Sequence, residues 1–364
     1  MRHRVRSSLV AVLAVSCLAA ACAPPPPQPA AAPQTQATQP SQPTQAAQPS
    51  QPTQAAQAAP VSVKWIWTAV SGVSGGTWTA IDAGYFKEEG LNVEPVHIAS
   101  SSRAVPALIA NEAQFSNLDG NLLVQASLQG ADVVGLLAQT NRLVFSVMTD
   151  PAIASGADLK GKRLGITRAG SSTHTAALQA LSLWKLEPDT DVALIQLSEV
   201  PSILAGLQAK QVDAGVVSPP TNTQAKAAGF KELLNLATDG PDYASVTIGS
   251  TRGYATDHQN EVLAFARGYA RGLHRFKTDK AFAIQVLAHY FELNDEAVLT
   301  DTWEQFSKYL ENVPYITGPG MQRIIEEVAV SEPKAKGTKP EQFLNQQAVS
   351  QLDQQGYYKQ LFGQ

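Results

Sequence analysis

Short runs of serine, glycine and threonine follow several predicted strands, and they are the residues best suited to hold a small polar molecule. Hydroxyl groups donate and accept hydrogen bonds, and glycine lets backbone N–H groups approach an anion closely. A helix that begins directly after such a run adds its own N-terminal N–H groups. The candidate binding residues are Ser71, Gly72, Ser74, Gly75, Gly76, Ser100, Ser101, Ser102, Asp119, Gly120, Asn121, Gly170, Ser171, Ser172, Thr173 and Ser218.

Larger side chains near these runs add further chemistry. Trp78 could cover an apolar or aromatic part of a ligand, and Arg168 could pair with an anionic group or lie solvated on the surface. Arg103 has the same two alternatives, and His174 either faces the cleft or lies on the surface of its helix. Asp119, if buried in a cleft, would favour a cationic or hydroxylated group over a simple anion. Glycine–serine runs before helices also serve as plain turns and caps, so each single serine has that structural alternative.

Signatures of catalysis are missing from the sequence. It contains no H-E-x-x-H, G-x-S-x-G or P-loop motif, and no cysteine follows Cys22. A disulfide framework, a cysteine zinc site and a cysteine nucleophile are thereby excluded from the folded part. The balance of 27 Lys+Arg against 31 Asp+Glu gives a net charge of −4 without a basic patch, which argues against nucleic acid as a partner. We expect a binding protein rather than an enzyme, with no cofactor and no metal.

Strands and helices must alternate to position these runs. Val61–Thr68 alternates like a strand, and strand and helix patterns then take turns as far as residue 138. A similar βα unit begins at Arg163 and ends near Leu236, after which helical patterns dominate. The apolar stripe of Glu261–Lys277 predicts a core helix. Such alternation is typical of parallel sheets with crossover helices.

Two extended segments, near residues 143–150 and 244–251, link the two α/β units, so the second unit is inserted into the first. We expect one lobe from residues 61–146 plus 249–364 and the other from residues 147–248. Open α/β sheets bind ligands at the carboxyl ends of their strands. The sequence therefore predicts a cleft between two lobes, with a hinge at the two crossing segments.

The N-terminal 60 residues predict export and tethering. Residues 1–21 have a basic start and an apolar run that is too short for a membrane span, which is typical of a secretory signal peptide. Cys22 after Leu-Ala-Ala-Ala resembles the lipidated cysteine of bacterial lipoproteins, with Cys17 as the weaker candidate and plain secretion as the alternative. Residues 22–60 are rich in Pro, Gln and Ala and predict a disordered, extended tether.

Four stretches resemble, in order and spacing, the substrate-binding proteins of taurine, alkanesulfonate and nitrate uptake, a group that includes thiamine-pyrimidine binders. They are G-Y-F-K-E-E-G-L-N-V-E from Gly84, A-L-I-A-N-E-A-Q-F from Ala107, L-K-G-K-R-L-G from Leu159 and L-A-G-L-Q-A-K-Q-V-D-A from Leu204. The resemblance implies the type II periplasmic-binding-protein fold, two α/β lobes joined by two crossing segments. It also implies that the strand-exit loops of both lobes contact the ligand.

The resemblance further implies a function. We expect an extracytoplasmic, lipid-anchored monomer that captures a sulfonate, nitrate, a pyrimidine or an aromatic acid by hinge closure and delivers it to the permease of an ABC importer. One alternative is an enzyme of the thiamine-pyrimidine synthase type on the same fold, although the cysteine-rich motif of that enzyme is missing. The other alternative is a ligand-sensing surface lipoprotein that is not coupled to transport.

Overall fold

The computed structural model describes residues 59–363. The predicted signal peptide (1–21), the predicted lipidation site Cys22 and the tether up to residue 58 lie outside the described residues. Within residues 59–363 the strands are β1 (Val61–Trp67), β2 (Leu91–His97), β3 (Phe115–Asp119), β4 (Val133–Thr140), β5 (Ser146–Thr149), β6 (Arg163–Ile166), β7 (Ala193–Gln196), β8 (Ala214–Val217), β9 (Lys231–Asn235) and β10 (Val246–Thr251).

The α-helices of the same segment surround these strands and fill the C-terminal third. They are α1 (Gly75–Asp82), α2 (Tyr85–Glu88), α3 (Ser101–Ile109), α4 (Gly120–Leu128), α5 (Ser172–Leu183), α6 (Val200–Gln208), α7 (Thr221–Ala227), α8 (Leu236–Asp239), α9 (Arg252–Asp257), α10 (Gln259–Thr278), α11 (Lys280–Phe291), α12 (Glu296–Tyr309), α13 (Gly318–Ser331), α14 (Gln347–Gln354) and α15 (Tyr357–Phe362).

Two five-stranded mixed sheets organise the described residues. The first sheet has the order β2-β1-β3-β10-β4, and the second has the order β7-β6-β8-β5-β9. In the first sheet β1 pairs parallel to β2 and β3, whereas β10 is antiparallel to β3 and β4. The second sheet repeats this plan with β6 parallel to β7 and β8, and with β5 antiparallel to β8 and β9. The prediction of two α/β lobes is confirmed.

Each crossing segment enters a sheet as its antiparallel strand. Ser146 begins β5 and pairs with Val217 of the second sheet, and Val246 begins β10 and pairs with Asp119 of the first sheet. The connections between the sheets are therefore residues 141–145 and 236–245, and both begin and end earlier than the expected segments near 143–150 and 244–251. The difference arises because both extended segments read as linkers in the sequence, while their backbones complete the hydrogen-bond ladders of the sheets.

The stripe predicted on α10 is confirmed as core. Phe265, Tyr269, Leu273 and Phe276 are fully buried, and helix α10 packs closely on α1. The contact is close enough that a Cβ added to Gly272 would lie 2.3 Å from the carbonyl oxygen of Gly76. Helices α1 and α10 therefore lie too close together at Gly76 and Gly272 to admit a side chain at Gly272. This contact holds the start of α1 in place.

The run 69–76, which contains five of the candidate binding residues, is a packed element rather than an open loop. Residues Gly72–Ser74 form a 3-10 turn that leads directly into α1, and all three are buried. A Cβ at Gly72 would lie 2.3 Å from Phe306, and a Cβ at Gly75 would lie 2.4 Å from Phe276. Small residues occur here because distant aromatic rings occupy the space, and that reason is invisible in the local sequence.

Candidate functional site

Two adjoining cavities lie between the strand-exit loops of the two lobes. The first, called here the loop cavity, has a volume of about 40 Å³, and the second, the crossing cavity, has about 30 Å³. Each water-sized group needs about 10–15 Å³ on this measure, so together they hold roughly five such groups. They share a wall formed by Thr68, Ala69, Phe145 and Ser172. The arrangement suits a compact ligand that is enclosed from both lobes.

Both lobes line the loop cavity with residues that follow strands. The first lobe contributes the ends of β1 and β2, and the second contributes the ends of β6 and β7. The lining residues are Thr68, Ala69, Val70, His97, Ala99, Ser100, Ser101, Phe145, Thr167, Ser171, Ser172, Thr173, Ser198, Glu199 and Val200. The crossing cavity is lined by Thr68, Ala69, Ser71, Val73, Thr140, Val144, Phe145, Ser172, Ser218, Ser245, Val246 and Phe306.

The same backbone device shapes the site in both lobes. In the first lobe the N–H of Ser100 donates to the carbonyl oxygen of Thr68 at 2.9 Å, and Ser100 has φ +76°. In the second lobe the N–H of Ser198 donates to the carbonyl oxygen of Thr167 at 2.9 Å, and Ser198 has φ +72°. A left-handed backbone is unusual for serine and turns the chain sharply at each strand exit. All four residues line the loop cavity, so this repeated turn positions a matched pair of hydroxyl groups from each lobe.

The start of α5 is held by a cluster of hydroxyl groups. The Thr167 hydroxyl lies 2.8 Å from the hydroxyls of both Ser171 and Thr173, and the Thr167 N–H donates to Thr173 Oγ1 at 2.9 Å. Ser171 is the N-cap of α5, and its hydroxyl also donates to the Arg168 carbonyl oxygen at 2.7 Å. These serines and threonines cap the helix as the structural alternative predicts, and they also line the cavity.

Asp119 lies behind the cavity and joins the two lobes. It is 2% exposed, and its two carboxylate oxygens accept hydrogen bonds from the hydroxyls of Ser101 in the first lobe and Ser172 in the second. Burial raises the pKa of Asp119 to about 6, although these hydrogen bonds act in the opposite direction. Asp119 ends β3 and is the N-cap of α4, so the predicted loop over 119–121 is instead a direct passage from strand to helix.

Seven predicted site residues line the two cavities, and the others do not. The seven are Ser71, Ser100, Ser101, Ser171, Ser172, Thr173 and Ser218. Asn121 and Gly170 lie close by, where Asn121 Nδ2 donates to the Gly170 carbonyl oxygen at 3.4 Å across the lobes. The residues that line neither cavity are Gly72, Ser74, Gly75, Gly76, Trp78, Ser102, Asp119, Gly120, Asn121, Arg168 and Gly170.

Trp78 is covered by other aromatic rings instead of facing the cleft. Its side chain is fully buried, its ring stacks on Tyr290 at 4.7 Å, and Trp67 contacts it edge-on at 5.2 Å. Trp67 in turn stacks on His97 at 3.9 Å, and His97 lines the loop cavity. Partial desolvation lowers the pKa of His97, although Glu199 acts in the opposite direction. Trp78 and Trp67 therefore reach the loop cavity only through His97, while Phe145 lines the cavity directly.

The arginines and His174 lie around the cavities rather than in them. Arg103 lines an open groove beside the loop cavity, together with Glu112 and Glu199. His174 accepts the N–H of Gly170 on its Nδ1 at 3.1 Å, and burial lowers its pKa. Arg168 is half-buried, and its Nε has no hydrogen-bond partner among residues 59–363. Within the part of the chain that the structure describes, no lysine or arginine lines either cavity.

Sequence reasoning missed several lining residues. Thr68, Thr167 and Ser198 each stand directly after a strand or at its exit turn, and the recurrence of a hydroxyl residue at that place in both lobes was the available signal. Phe145 and Ser245 lie in the crossing segments, where nothing in the local pattern separates a lining residue from a linker.

Hydrogen bonds to two other carboxylates also link the lobes outside the cavities. Glu327 on α13 accepts from the side-chain amide of Gln179 on α5, and it also accepts from the Tyr243 hydroxyl at 2.9 Å. On the other side, Asp301 on α12 accepts from the Thr223 hydroxyl on α7. In each case, as with Asp119 and Ser172, a carboxylate of the first lobe accepts from an uncharged donor of the second.

Residues 59–363 include no cluster of three histidine, cysteine or carboxylate side chains that could hold a metal ion. Among the same residues, no helix has the length and apolar character that crossing a membrane requires.

Comparison with known proteins gives a family and a fold. The model of the family described as NMT1/THI5 like matches residues 73–279. A putative ABC transporter periplasmic binding protein of Brachyspira hyodysenteriae is 24% identical over 169 residues, which is 46% of this chain and 46% of that protein. The chain therefore spans less than half the length of the curated relative that it matches.

Solved structures match nearly the whole described part. The alkanesulfonate-binding protein of Xanthomonas axonopodis pv. citri, solved with MOPS bound, matches with a TM-score of 0.63 and 18% identity, over 79% of this chain and 96% of that chain. The periplasmic nitrate-binding protein of Synechocystis PCC 6803 matches with a TM-score of 0.64 and 12% identity, over 83% and 89%. These likenesses confirm the predicted fold class of two α/β lobes.

Proposed function

Since this chain belongs to the NMT1/THI5-like family, we propose that it is an extracytoplasmic solute-binding protein that delivers a small polar solute to an ABC importer. The similarity to a putative ABC transporter periplasmic binding protein supports this role. The likeness to proteins that bind an alkanesulfonate or nitrate supports a small polar ligand.

One observation carries the proposal. The cavities lie where strand ends of both sheets meet, and hydroxyl residues of both lobes line them. Ligand sites of open α/β sheets occur at this place. A ligand here would contact both lobes at once, so it would favour the closed arrangement over an open one by the free energy of its second set of contacts.

Closure is proposed to be a hinge motion about residues 141–145 and 236–245. The hydrogen bonds of Asp119, Asp301 and Glu327 to the second lobe would form on closing. Each such bond to a charged group contributes about 1.5–3 kcal/mol at most. Because the donors are uncharged and the carboxylates lose hydration on closing, the net gain is small, and the lobes can reopen to release the solute.

The N-terminal residues are proposed to anchor the protein. Cleavage before Cys22 and lipidation of its thiol would attach the chain to a membrane, and residues 22–60 would hold the folded part away from the surface as a monomer within reach of a permease. The substitution Cys22→Ser should release the protein into the soluble fraction of cells. Continued recovery of Cys22→Ser with membranes would contradict lipid anchoring and leave the solute-binding proposal standing.

The direct test of solute binding is a thermal-shift screen of the full chain. The panel contains sulfonates, nitrate, pyrimidines, aromatic acids, amides and amines. A ligand at a concentration one hundred times its Kd stabilises the folded protein by about 2.7 kcal/mol, which raises Tm by several degrees. A panel of this breadth that leaves Tm unchanged throughout would overturn the proposal.

A further inference from the structure

The hydroxyl protons of Ser101 and Ser172 are used in hydrogen bonds to Asp119. A serine hydroxyl has a single proton to donate and two lone pairs to accept. Ser101 and Ser172 each donate that proton to Asp119, and both line the loop cavity. Toward the cavity these two hydroxyls therefore present oxygen lone pairs, which accept hydrogen bonds from a ligand.

The charges around the loop cavity also disfavour an anion. Its lining contains one carboxylate, Glu199, and His97, whose lowered pKa keeps the ring neutral at pH 7. Asp119 adds a second negative charge directly behind Ser101 and Ser172. Among residues 59–363, no lysine or arginine lines either cavity, since Arg103 lines the open groove and Arg168 is half-buried outside both linings. An anionic ligand would meet negative charge without a compensating cation.

The crossing cavity supplies an independent indication of a ligand. Ser218 and Ser245 line it, each is 2% exposed, and neither hydroxyl has a hydrogen-bond partner among the described residues. Buried hydroxyls without partners are uncommon, because each loses its hydration without replacement. Both hydroxyls can donate or accept, so a polar group of a ligand in this cavity would satisfy them. Phe145 forms part of the shared wall and offers an apolar surface to the rest of the ligand.

From these contacts we infer that the solute is a small neutral or cationic molecule that presents N–H or O–H donors to Ser101 and Ser172, and that acceptor-only anions such as sulfonates and nitrate are rejected. The inference rests on the proposed solute-binding function and names its substrate class. It differs from what the alkanesulfonate-binding and nitrate-binding neighbours would suggest, because in this chain the carboxylate of Asp119 occupies the protons of two lining hydroxyls that could otherwise donate to such an anion.

The test uses ligand pairs of the same shape that differ in charge and donors. They are methanesulfonate with methanesulfonamide, acetate with acetamide, and benzoate with benzamide, and ethylammonium and benzylammonium are added as cations. Binding to the full chain is measured by ligand-detected NMR and by thermal shift at pH 7.5. We expect the amide, sulfonamide or ammonium member to bind at least tenfold more tightly than the matching anion.

The variant Asp119→Asn removes the charge and replaces one of the two acceptor oxygens by an amide donor, so that one of the two serine protons becomes free for a ligand. The affinity ratio of each ligand pair should fall at least tenfold. The matched control is Glu327→Gln, which alters another carboxylate contact between the lobes at a distance from the cavities. It should change the affinities of both members of a pair by the same factor. Because the ratios of the unmodified protein carry the inference by themselves, poor folding of Asp119→Asn would not remove the test.

Two results would overturn the inference. If the anion of each pair binds the unmodified protein more tightly than its neutral partner, the substrate class is wrong while solute binding stands. If Asp119→Asn folds and leaves every ratio unchanged, Asp119 does not select the ligand. Failure of every compound in this set and in the broad panel would instead contradict solute binding itself, and the inference would fall with it.

Discussion

The carboxylate of Asp119 in the first lobe accepts a hydrogen bond from the hydroxyl of Ser172 in the second lobe. Ser172 is the first residue of α5, so a buried negative charge lies against the N-terminal end of that helix. Helix N-termini commonly bind anions that come from outside the protein. Here the protein supplies the anion itself, and the same contact ties the lobes together.

The first prediction concerns the pH dependence of stability. Burial raises the pKa of Asp119 to about 6, above its ordinary value of 3.8. Between these values the folded state binds more protons than the unfolded state, so the free energy of unfolding falls as the pH rises from about 4 to about 6. The full loss from this group is about 3 kcal/mol, since one pKa unit corresponds to about 1.4 kcal/mol.

Asp119→Asn isolates this effect. The lowered pKa of His97 and the raised pKa of Glu327 also contribute to the pH profile, but they are present in both proteins and cancel in the difference. Urea unfolding at pH 4.5 to 7.5 measures the free energy of unfolding of the unmodified protein and of Asp119→Asn. The difference between the two values should change with pH across this range. Parallel profiles would show that Asp119 titrates as it does in the unfolded chain.

The second prediction separates stability from binding at Ser218 and Ser245. Their hydroxyls are buried and have no partner in the described part of the chain, so Ser218→Ala and Ser245→Ala should leave the unliganded protein as stable as before or up to about 1 kcal/mol more stable. Each variant should weaken binding of a solute about five- to tenfold, since the solute loses one hydrogen bond. Chemical unfolding and titration calorimetry measure the two effects.

Ser250→Ala is the matched control for the serine variants. The Ser250 hydroxyl is also buried, but it donates to the Gln114 carbonyl oxygen at 2.6 Å and lines neither cavity. This variant should lose about 1 kcal/mol of stability and keep the affinity for the solute. If Ser218→Ala and Ser245→Ala destabilise the free protein as much as Ser250→Ala does, their hydroxyls are satisfied without a ligand.

The third prediction concerns the contact that fixes the start of α1. In Gly272→Ala the new Cβ would lie 2.3 Å from the Gly76 carbonyl oxygen and 2.6 Å from the Ala80 backbone nitrogen, so α1 and α10 must separate. We expect a loss of about 1–3 kcal/mol in the free energy of unfolding, despite the better helix propensity of alanine.

Gly318→Ala provides the comparison for this packing effect. Gly318 also lies in a helix, and a Cβ there meets no heavy atom within 4 Å. The free energy of unfolding of Gly318→Ala should stay the same or rise by up to about 1 kcal/mol. Equal effects of Gly272→Ala and Gly318→Ala in urea unfolding would contradict the close packing of α1 on α10.

Much of the fold but only a minority of the cavity lining could be predicted from the sequence, because these parts follow from local patterns. The alternation of strand and helix patterns predicts the strands. The residues that follow these strands include Ser100, Ser101 and Ser171, which line the loop cavity. The position of Trp78 could not be predicted in this way, because Tyr290 covers it from more than two hundred residues away. The hydrogen bond between Asp119 and Ser172 could not be predicted either, because the two residues belong to different lobes.

Gly72 and Gly75 illustrate why a composition can mislead. Glycine before a helix is typical of an anion-binding loop and equally of a close approach between packed groups. Phe306 and Phe276 fill the space beside these glycines, and these rings lie in the C-terminal helices. The choice between the two interpretations depends on contacts between distant parts of the chain, which the order of residues does not display.

The central claim, that the two lobes close together on a solute, is tested most directly by hydrogen exchange of the full chain with and without a ligand from the thermal-shift screen. The account predicts slower exchange in both lobes at once, at residues 68–70 and 97–101 of the first and at residues 167–173 and 198–200 of the second, with α10 unchanged. Slower exchange confined to one lobe, or located away from these segments, would contradict it.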